Sequence, residues 1–262
     1  MRLVVKYFLR LIQNIFLRKG IKIVQFSRND EFYPSSPSCQ IENVSELFEV
    51  FFNAKLDGTF VEVGAFDGYT FSNTWGLAQR GWRGIYVEPI PKYANQCRKN
   101  HSKHRGVSVV EKIVSSTTGD KETIFLAGTL STTSTEQLES YRLQEWSQKH
   151  VSDKQIIVTT TTLHDLLETE NVNVGFDLLV VDVEGTEDIV FSGFDIAWWK
   201  PKMIIVELEE FHPNMRDNRS SHTRLRNQIE NSGYSIVYKD QINTVFIDQN
   251  LYLEFFTSLN DA

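Results

Sequence analysis

The sequence predicts an α/β fold built on a doubly wound, mostly parallel sheet. Short apolar runs at residues 59–63, 176–183 and 202–208 alternate with helical stretches, the pattern of a sheet buried on both faces. The first run ends in a glycine loop that enters a helix, and the last two runs, 234–238 and 244–247, flank a short turn and form an antiparallel C-terminal hairpin.

The elements follow in order. Residues 1–26 carry apolar side chains at helical spacing, and residues 27–41, with Pro34, Pro37 and several serines, read as a connection. A short helix at 45–52 and an Asp57-Gly58 turn lead into the strand at 59–63. A helix at 72–79, capped by Ser72 or Thr70, follows the loop from Gly64 to Gly68. The strand at 84–87 ends at Glu88, and the helix at 91–100 starts on a proline whose missing N–H is harmless there. Residues 107–114 read as a third strand, with 123–126 pairing back across the turn at 118–120. Residues 128–154 break the rhythm: serine and threonine crowd the start, and 136–150 is a polar helical stretch holding Tyr141 and Trp146. An insertion of this size serves as a lid or substrate loop, or is a solvated excursion. A strand at 156–160, a helix at 163–169, the strands at 176–183 and 202–208, and a helix at 222–232 complete the chain before the hairpin.

With 262 residues, the chain accommodates one attachment, residues 1–45, and one catalytic-sized domain, residues 46–262. Hydrophobic residues at 41%, with 6 Pro and 14 Gly, exclude a low-complexity or collagen-like chain. The net charge of −7 argues against a phosphate-backbone binder, so no nucleic-acid partner is expected. Residues 1–22 nevertheless carry +6 and no acid, which leaves −13 for the remainder. Lys6 and Arg10 interrupt the apolar stretch well short of the roughly 18 residues a membrane span needs. This segment reads either as a basic amphipathic helix for a membrane surface or partner, or as a helix packed on the main domain. Cys39 and Cys97 form no metal or disulfide framework, which suits a reducing, cytoplasmic setting, with peripheral attachment through residues 1–22 as the alternative.

The chemistry concentrates at strand ends. A buried strand leading through Gly64-Ala65-Phe66-Asp67-Gly68 to a helix is where nucleotide-like ligands sit. A dinucleotide fingerprint needs G-x-G-x-x-G; this loop lacks the middle glycine, and Glu62 and Asp67 repel a pyrophosphate. The acids favour a cationic ligand such as the sulfonium and ammonium of S-adenosylmethionine over NAD(P) and an oxidoreductase. Glu88, 24 residues after Gly64, stands where an acid accepts hydrogen bonds from ribose hydroxyls. Asp182 and Glu184 end the most apolar strand on one face, a costly position unless they belong to a site or ion pair, and Glu187 follows in the first turn of a helix. Glu207 and Glu209 repeat the arrangement on the next strand, with His212 beyond. The other histidines, His101, His104, His150, His164 and His222, read as solvated.

Taken together, Glu62-Val63-Gly64-Ala65-Phe66-Asp67-Gly68, Ser72-Asn73-Thr74, Trp82-Arg83-Gly84, Glu88-Pro89, Thr162-Leu163, Asp182-Val183-Glu184-Gly185-Thr186-Glu187 and Glu207-Leu208-Glu209 resemble the signature blocks of FkbM-type S-adenosylmethionine-dependent methyltransferases. The blocks run in family order over about residues 57–250, with one departure, Phe66, where many relatives carry Asn. The resemblance implies a class I, Rossmann-like methyltransferase fold with a seven-stranded sheet, O-methylating a hydroxyl of a carbohydrate, glycan or small metabolite. It implies that Glu62, Gly64, Ala65, Asp67, Gly68 and Asn73 surround the methionine part of S-adenosyl-L-methionine. Glu88 would hold the ribose, Lys112, Ile113 and Val114 the adenine, and Asp182 would contact cofactor or acceptor. Candidates for the general base are Asp182, Glu184, Glu209 and His212. No metal is assigned, although Asp182, Glu184 and Glu209 offer the oxygen ligands a divalent cation favours. A binding protein that holds the cofactor without turnover is the remaining alternative.

Overall fold

The computed structural model describes residues 33–53, 55–208 and 219–253; the basic segment 1–22, Glu209 and His212 lie outside the described residues. Its large sheet is assembled from β1 (Thr59–Val63), β2 (Arg83–Val87), β3 (Val107–Val110), β7 (Leu178–Val181), β8 (Met203–Glu207), β9 (Tyr234–Lys239) and β10 (Asn243–Asp248), in the order β3-β2-β1-β7-β8-β10-β9. The first five of these positions run parallel, and β10 pairs antiparallel with both β8 and β9. β7 and β8 are buried at every residue, as expected of central parallel strands covered on both faces. The order reverses direction between β1 and β7, so a crevice opens over their carboxyl ends.

Helices α1 (Val44–Phe52), α2 (Trp75–Gln79), α3 (Pro91–Asn100), α5 (Leu163–Thr169), α6 (Glu187–Ser192), α7 (Ile196–Trp199) and α8 (Arg219–Asn231) accompany the large sheet, while α4 (Thr135–Leu143) belongs to the insertion. The chain ahead of α1 is tied down by aromatic packing. Tyr33 is fully buried edge-on against Phe48 and Trp82, and both Tyr33 Oη and Trp82 Nε1 donate to the Lys55 carbonyl, at 2.8 and 2.9 Å.

Several sequence expectations change. Residues 107–114 are two strands, since the chain leaves the large sheet after Val110 and starts β4 (Ile113–Val114) in a second sheet. That sheet, ordered β4-β6-β5, comprises β5 (Lys121–Phe125) and β6 (Gln155–Thr161), so the run at 123–126 pairs with β6 and the run at 156–160 stays out of the large sheet. Polar Glu111 and Lys112 interrupt the apolar pattern at the crossing. The second helix begins at Trp75, later than the proposed cap, because the Ser72 and Thr74 hydroxyls are directed to Glu62. In the insertion α4 ends at Leu143, and Ser134 caps its start by accepting from Gln137 N.

At the amino end of β7, Asp177 receives Lys55 Nζ at 2.8 Å, Lys202 Nζ at 2.7 Å and the Thr59 amide at 2.9 Å, which joins the chain beyond α1, the first residue of β1 and the residue before β8 to one carboxylate. Burial alone would raise its pKa; the two ammonium groups outweigh burial and hold it below the usual value. Asp177→Asn should destabilise the fold by about 2 kcal/mol in urea unfolding at neutral pH, the scale of lost charged hydrogen bonds. A depressed carboxylate contributes fully above its unfolded value, about pH 4, and loses that contribution as pH falls through the folded value, so the two proteins should converge in acid.

Candidate active site

The crevice is built by three strand ends. β1 ends in Gly64, whose φ is 86° and whose absent Cβ would stand 1.6 Å from the Asp182 carbonyl oxygen at the end of β7. Glycine is therefore a condition for closing β1 against β7. The Gly64 and Ala65 amides both donate to the Val87 carbonyl, at 3.0 and 3.1 Å, which locks the loop onto the end of β2. Phe66 follows at φ 49°, a left-handed position that asparagine adopts at low cost, and its ring packs 4.3 Å from that of Tyr93.

Glu88 joins the loops that follow β1 and β2. Its Oε2 accepts from Phe66 N at 2.9 Å and its Oε1 from Ile90 N at 2.8 Å. Burial raises its pKa to about 7 against these two hydrogen bonds. Glu88, Val87, Ile90 and Tyr93 line one side of a narrow cavity with Lys112 and Ile113, at the point where the chain passes from β3 to β4. Asp182 and Glu184 line it too.

Those two acids, with Gly64, Phe66 and Thr129, also line a second cavity of about 260 Å³, so the two spaces share a wall. The second cavity is lined as well by Glu62, Ser72 and Asn73, and by Tyr141, Trp146 and Glu207. Glu62 is a buried carboxyl in the middle of the sheet, 6% exposed. Burial raises its pKa to about 7, although the Thr74 and Ser72 hydroxyls donate to it. The Thr74 oxygen lies 3.0 Å from the Tyr86 hydroxyl, which extends this buried polar chain under the loop.

The acidic cluster beyond β7 brings together Asp182, Glu184 and Glu207, with one oxygen of each within 4.8 Å of the others. Burial raises the Asp182 pKa, and hydrogen bonds from Glu207 and Gln40 oppose that shift. Glu184, at φ 60°, is fixed from the insertion: the Tyr141 hydroxyl donates to its carboxylate, and Thr132 Oγ1 donates to its carbonyl at 2.7 Å. Glu187 accepts from the Val183 and Gly185 amides at 3.1 and 3.2 Å and so shapes the turn itself.

The structure brings Glu62, Gly64, Ala65, Asn73, Glu88, Lys112, Ile113, Asp182 and Glu184 to these two cavities. Asp67 and Gly68 line neither. The Asp67 carboxylate accepts from the Tyr69 and Thr70 amides, at 3.0 and 2.7 Å, and a Cβ on Gly68 would meet Cys97 and His101 within 3 Å. Two histidines expected to be solvated are buried: His101 packs against Tyr86 and lies 2.7 Å from the Gly68 carbonyl, and His222 lies 3.5 Å from Glu187. Sequence reading gave no site role to Gln40, in the connection, or to Tyr141, in the insertion. Both reach the site by tertiary packing, and no local spacing signals either.

The sheet order, the antiparallel strand β10 and the glycine loop at the reversal point define a class I, Rossmann-like methyltransferase fold. Residues 62–236, more than half of the chain, match the methyltransferase FkbM domain, and the chain belongs to that family. No curated protein matches the sequence. Solved structures similar to it include a putative O-methyltransferase from Klebsiella pneumoniae, with 12% identity over 92% of this chain and 89% of that one at a TM-score of 0.44. An O-methyltransferase from Bacillus cereus in complex with SAH shares 14% identity over 92% and 90% at 0.43. The O-methyltransferase TomG from Streptomyces achromogenes, involved in tomaymycin synthesis and in complex with SAM, shares 11% over 92% and 88% at 0.45.

The contact at Gly64 is tested by a pair of variants. Gly81 has a similar φ of 90° but open space where a Cβ would stand. Gly81→Ala should cost about 1 kcal/mol in urea unfolding, from backbone strain alone. Gly64→Ala should cost about 3 kcal/mol, because a collision with backbone is added. Equal costs would mean that the loop yields freely.

Proposed function

We propose that this chain is an S-adenosylmethionine-dependent methyltransferase that O-methylates a hydroxyl of a carbohydrate, glycan or related small metabolite. The observation that carries the reading is the placement of Glu88, Glu62 and Asp182 at the ends of three adjacent strands, around two cavities with a common wall. The donor set fits the cofactor. Glu88 supplies carboxylate acceptors for ribose hydroxyls, Ile113 and Tyr93 supply apolar surface for the adenine, and Glu62 and Asp182 favour positive charge. A pyrophosphate would meet acids where it needs N–H donors and cations.

When bound, the cofactor supplies a methyl group on sulfur, whose C–S bond breaks as the acceptor oxygen attacks and leaves the electron pair on sulfur. The chain's part is to align the acceptor and to take the hydroxyl proton. Among the described candidates, Glu184 is the best placed to do so, since it lines both cavities and is oriented by Tyr141. Asp182, bonded to Gln40 and Glu207, is the better placed to hold cofactor. Glu209 and His212 keep their standing as candidates from the sequence. A basic segment at residues 1–22 would place the enzyme at a membrane surface or partner, and among the described residues no helix is long and apolar enough to cross a membrane.

Calorimetry should show binding of S-adenosylmethionine and none of NAD; the reverse would overturn the reading. Affinity should rise as pH increases through about 7, where Glu62 and Glu88 lose their protons, because the ionised forms are the ones that suit the cofactor. Glu88→Ala should weaken binding about tenfold or more. With cell-extract fractions as acceptor source, Glu184→Ala should lower labelled-methyl transfer far more than cofactor binding. Transfer left intact in that variant would make Glu184 structural.

A further inference from the structure

The family domain matches from residue 62 onward, yet a residue ahead of it reaches the second cavity. Gln40 Nε2 donates to Asp182 Oδ2 at 3.0 Å, and Gln40 Oε1 accepts from Asn73 Nδ2 at 3.2 Å. The orientation of both amides follows from one fixed donor. The Ile41 backbone N–H can only donate, and it lies 3.1 Å from Asn73 Oδ1, which must therefore be the acceptor. Asn73 then presents its NH₂ to Gln40, whose oxygen must accept, so the Gln40 NH₂ turns to Asp182. Each NH₂ has a second hydrogen beyond the bond described.

An amino-acid ligand is a zwitterion, and the second cavity serves its two ends unequally. Glu62, Asp182, Glu184 and Glu207 favour an ammonium and repel a carboxylate. Among the described residues lining this cavity there is no lysine or arginine to offset them. The side-chain amides lining this cavity are those of Gln40 and Asn73, whose remaining N–H groups can bind a carboxylate without adding charge to the site.

We propose that Gln40 and Asn73 form the carboxylate-binding end of the cofactor's methionine site, so that the segment before the family domain completes the cofactor pocket. The inference rests on the methyltransferase reading above. It makes Gln40 a residue that distinguishes ligands with an amino-acid tail from the same nucleoside without one.

The test is calorimetry on the full chain with two probes: S-adenosylhomocysteine, which has the amino-acid end, and 5′-methylthioadenosine, which lacks it. Gln40→Glu, of the same shape, places a carboxylate where the donor stood; Gln40→Met removes the donor without adding charge. Affinity for S-adenosylhomocysteine should fall about ten- to a hundredfold in the first variant and several-fold in the second. Affinity for 5′-methylthioadenosine should stay within about twofold in both. Equal losses for both ligands would show that Gln40 only supports the fold and would overturn the proposal, as would unchanged affinity for S-adenosylhomocysteine. If the unaltered chain binds neither probe, the methyltransferase reading itself fails and this proposal with it.

Discussion

The structure turns on the cost of holding carboxyl groups at the carboxyl ends of buried parallel strands. Glu62 and Glu88 are each no more than 6% exposed, and neutral donors hold them: hydroxyls of Ser72 and Thr74 for the first, amides of Phe66 and Ile90 for the second. Neutral donors hold an acid in place without paying its full desolvation cost, so both pKa values rise to about 7. Acids kept in that condition are ready to ionise when a cation arrives.

The two ends of β7 show that this is a property of the crevice and not of the sheet as a whole. Asp177, just before the strand, is met by Lys55 and Lys202, and its pKa falls despite burial. Asp182, just after it, is met by the Gln40 amide and by Glu207, and its pKa rises. Four residues of apolar strand separate an acid neutralised for stability from one left without a cationic partner in its hydrogen bonds. The insertion adds to the second end, since Tyr141 and Thr132 together fix both the carboxylate and the backbone carbonyl of Glu184 in a left-handed conformation.

Much of this was legible in the sequence where the signal is local. Gly64, Glu88 and Asp182 sit at fixed offsets from apolar runs, and strand period and loop geometry then place them at one edge. The helices at Pro91–Asn100 and Leu163–Thr169 could be read to the residue because a proline start and a threonine cap mark them. Gln40 was not legible, since its contact with Asp182 spans 142 residues of chain, nor was Tyr141, 43 residues from Glu184. The division of residues 107–114 between two sheets was hidden because five of the eight residues are apolar and fit one strand, and Glu111-Lys112 mark the crossing. Ser72 and Thr70 carried a cap signal that nearby acids overrode, since the Ser72 hydroxyl goes to Glu62 and that of Thr70 to Asp67.

The claim that links these features is that the strand-end acids are held partly protonated in the free protein and ionise on binding a sulfonium cofactor. Carbon-13 NMR of glutamate side-chain carboxyls, with Glu88→Gln and Glu62→Gln for assignment, measures it directly. Two carboxyls should titrate near pH 7 in the free protein and move down toward the ordinary carboxylate range when S-adenosylmethionine is added. Resonances that titrate in the ordinary range before binding, or that do not move after it, would contradict the account.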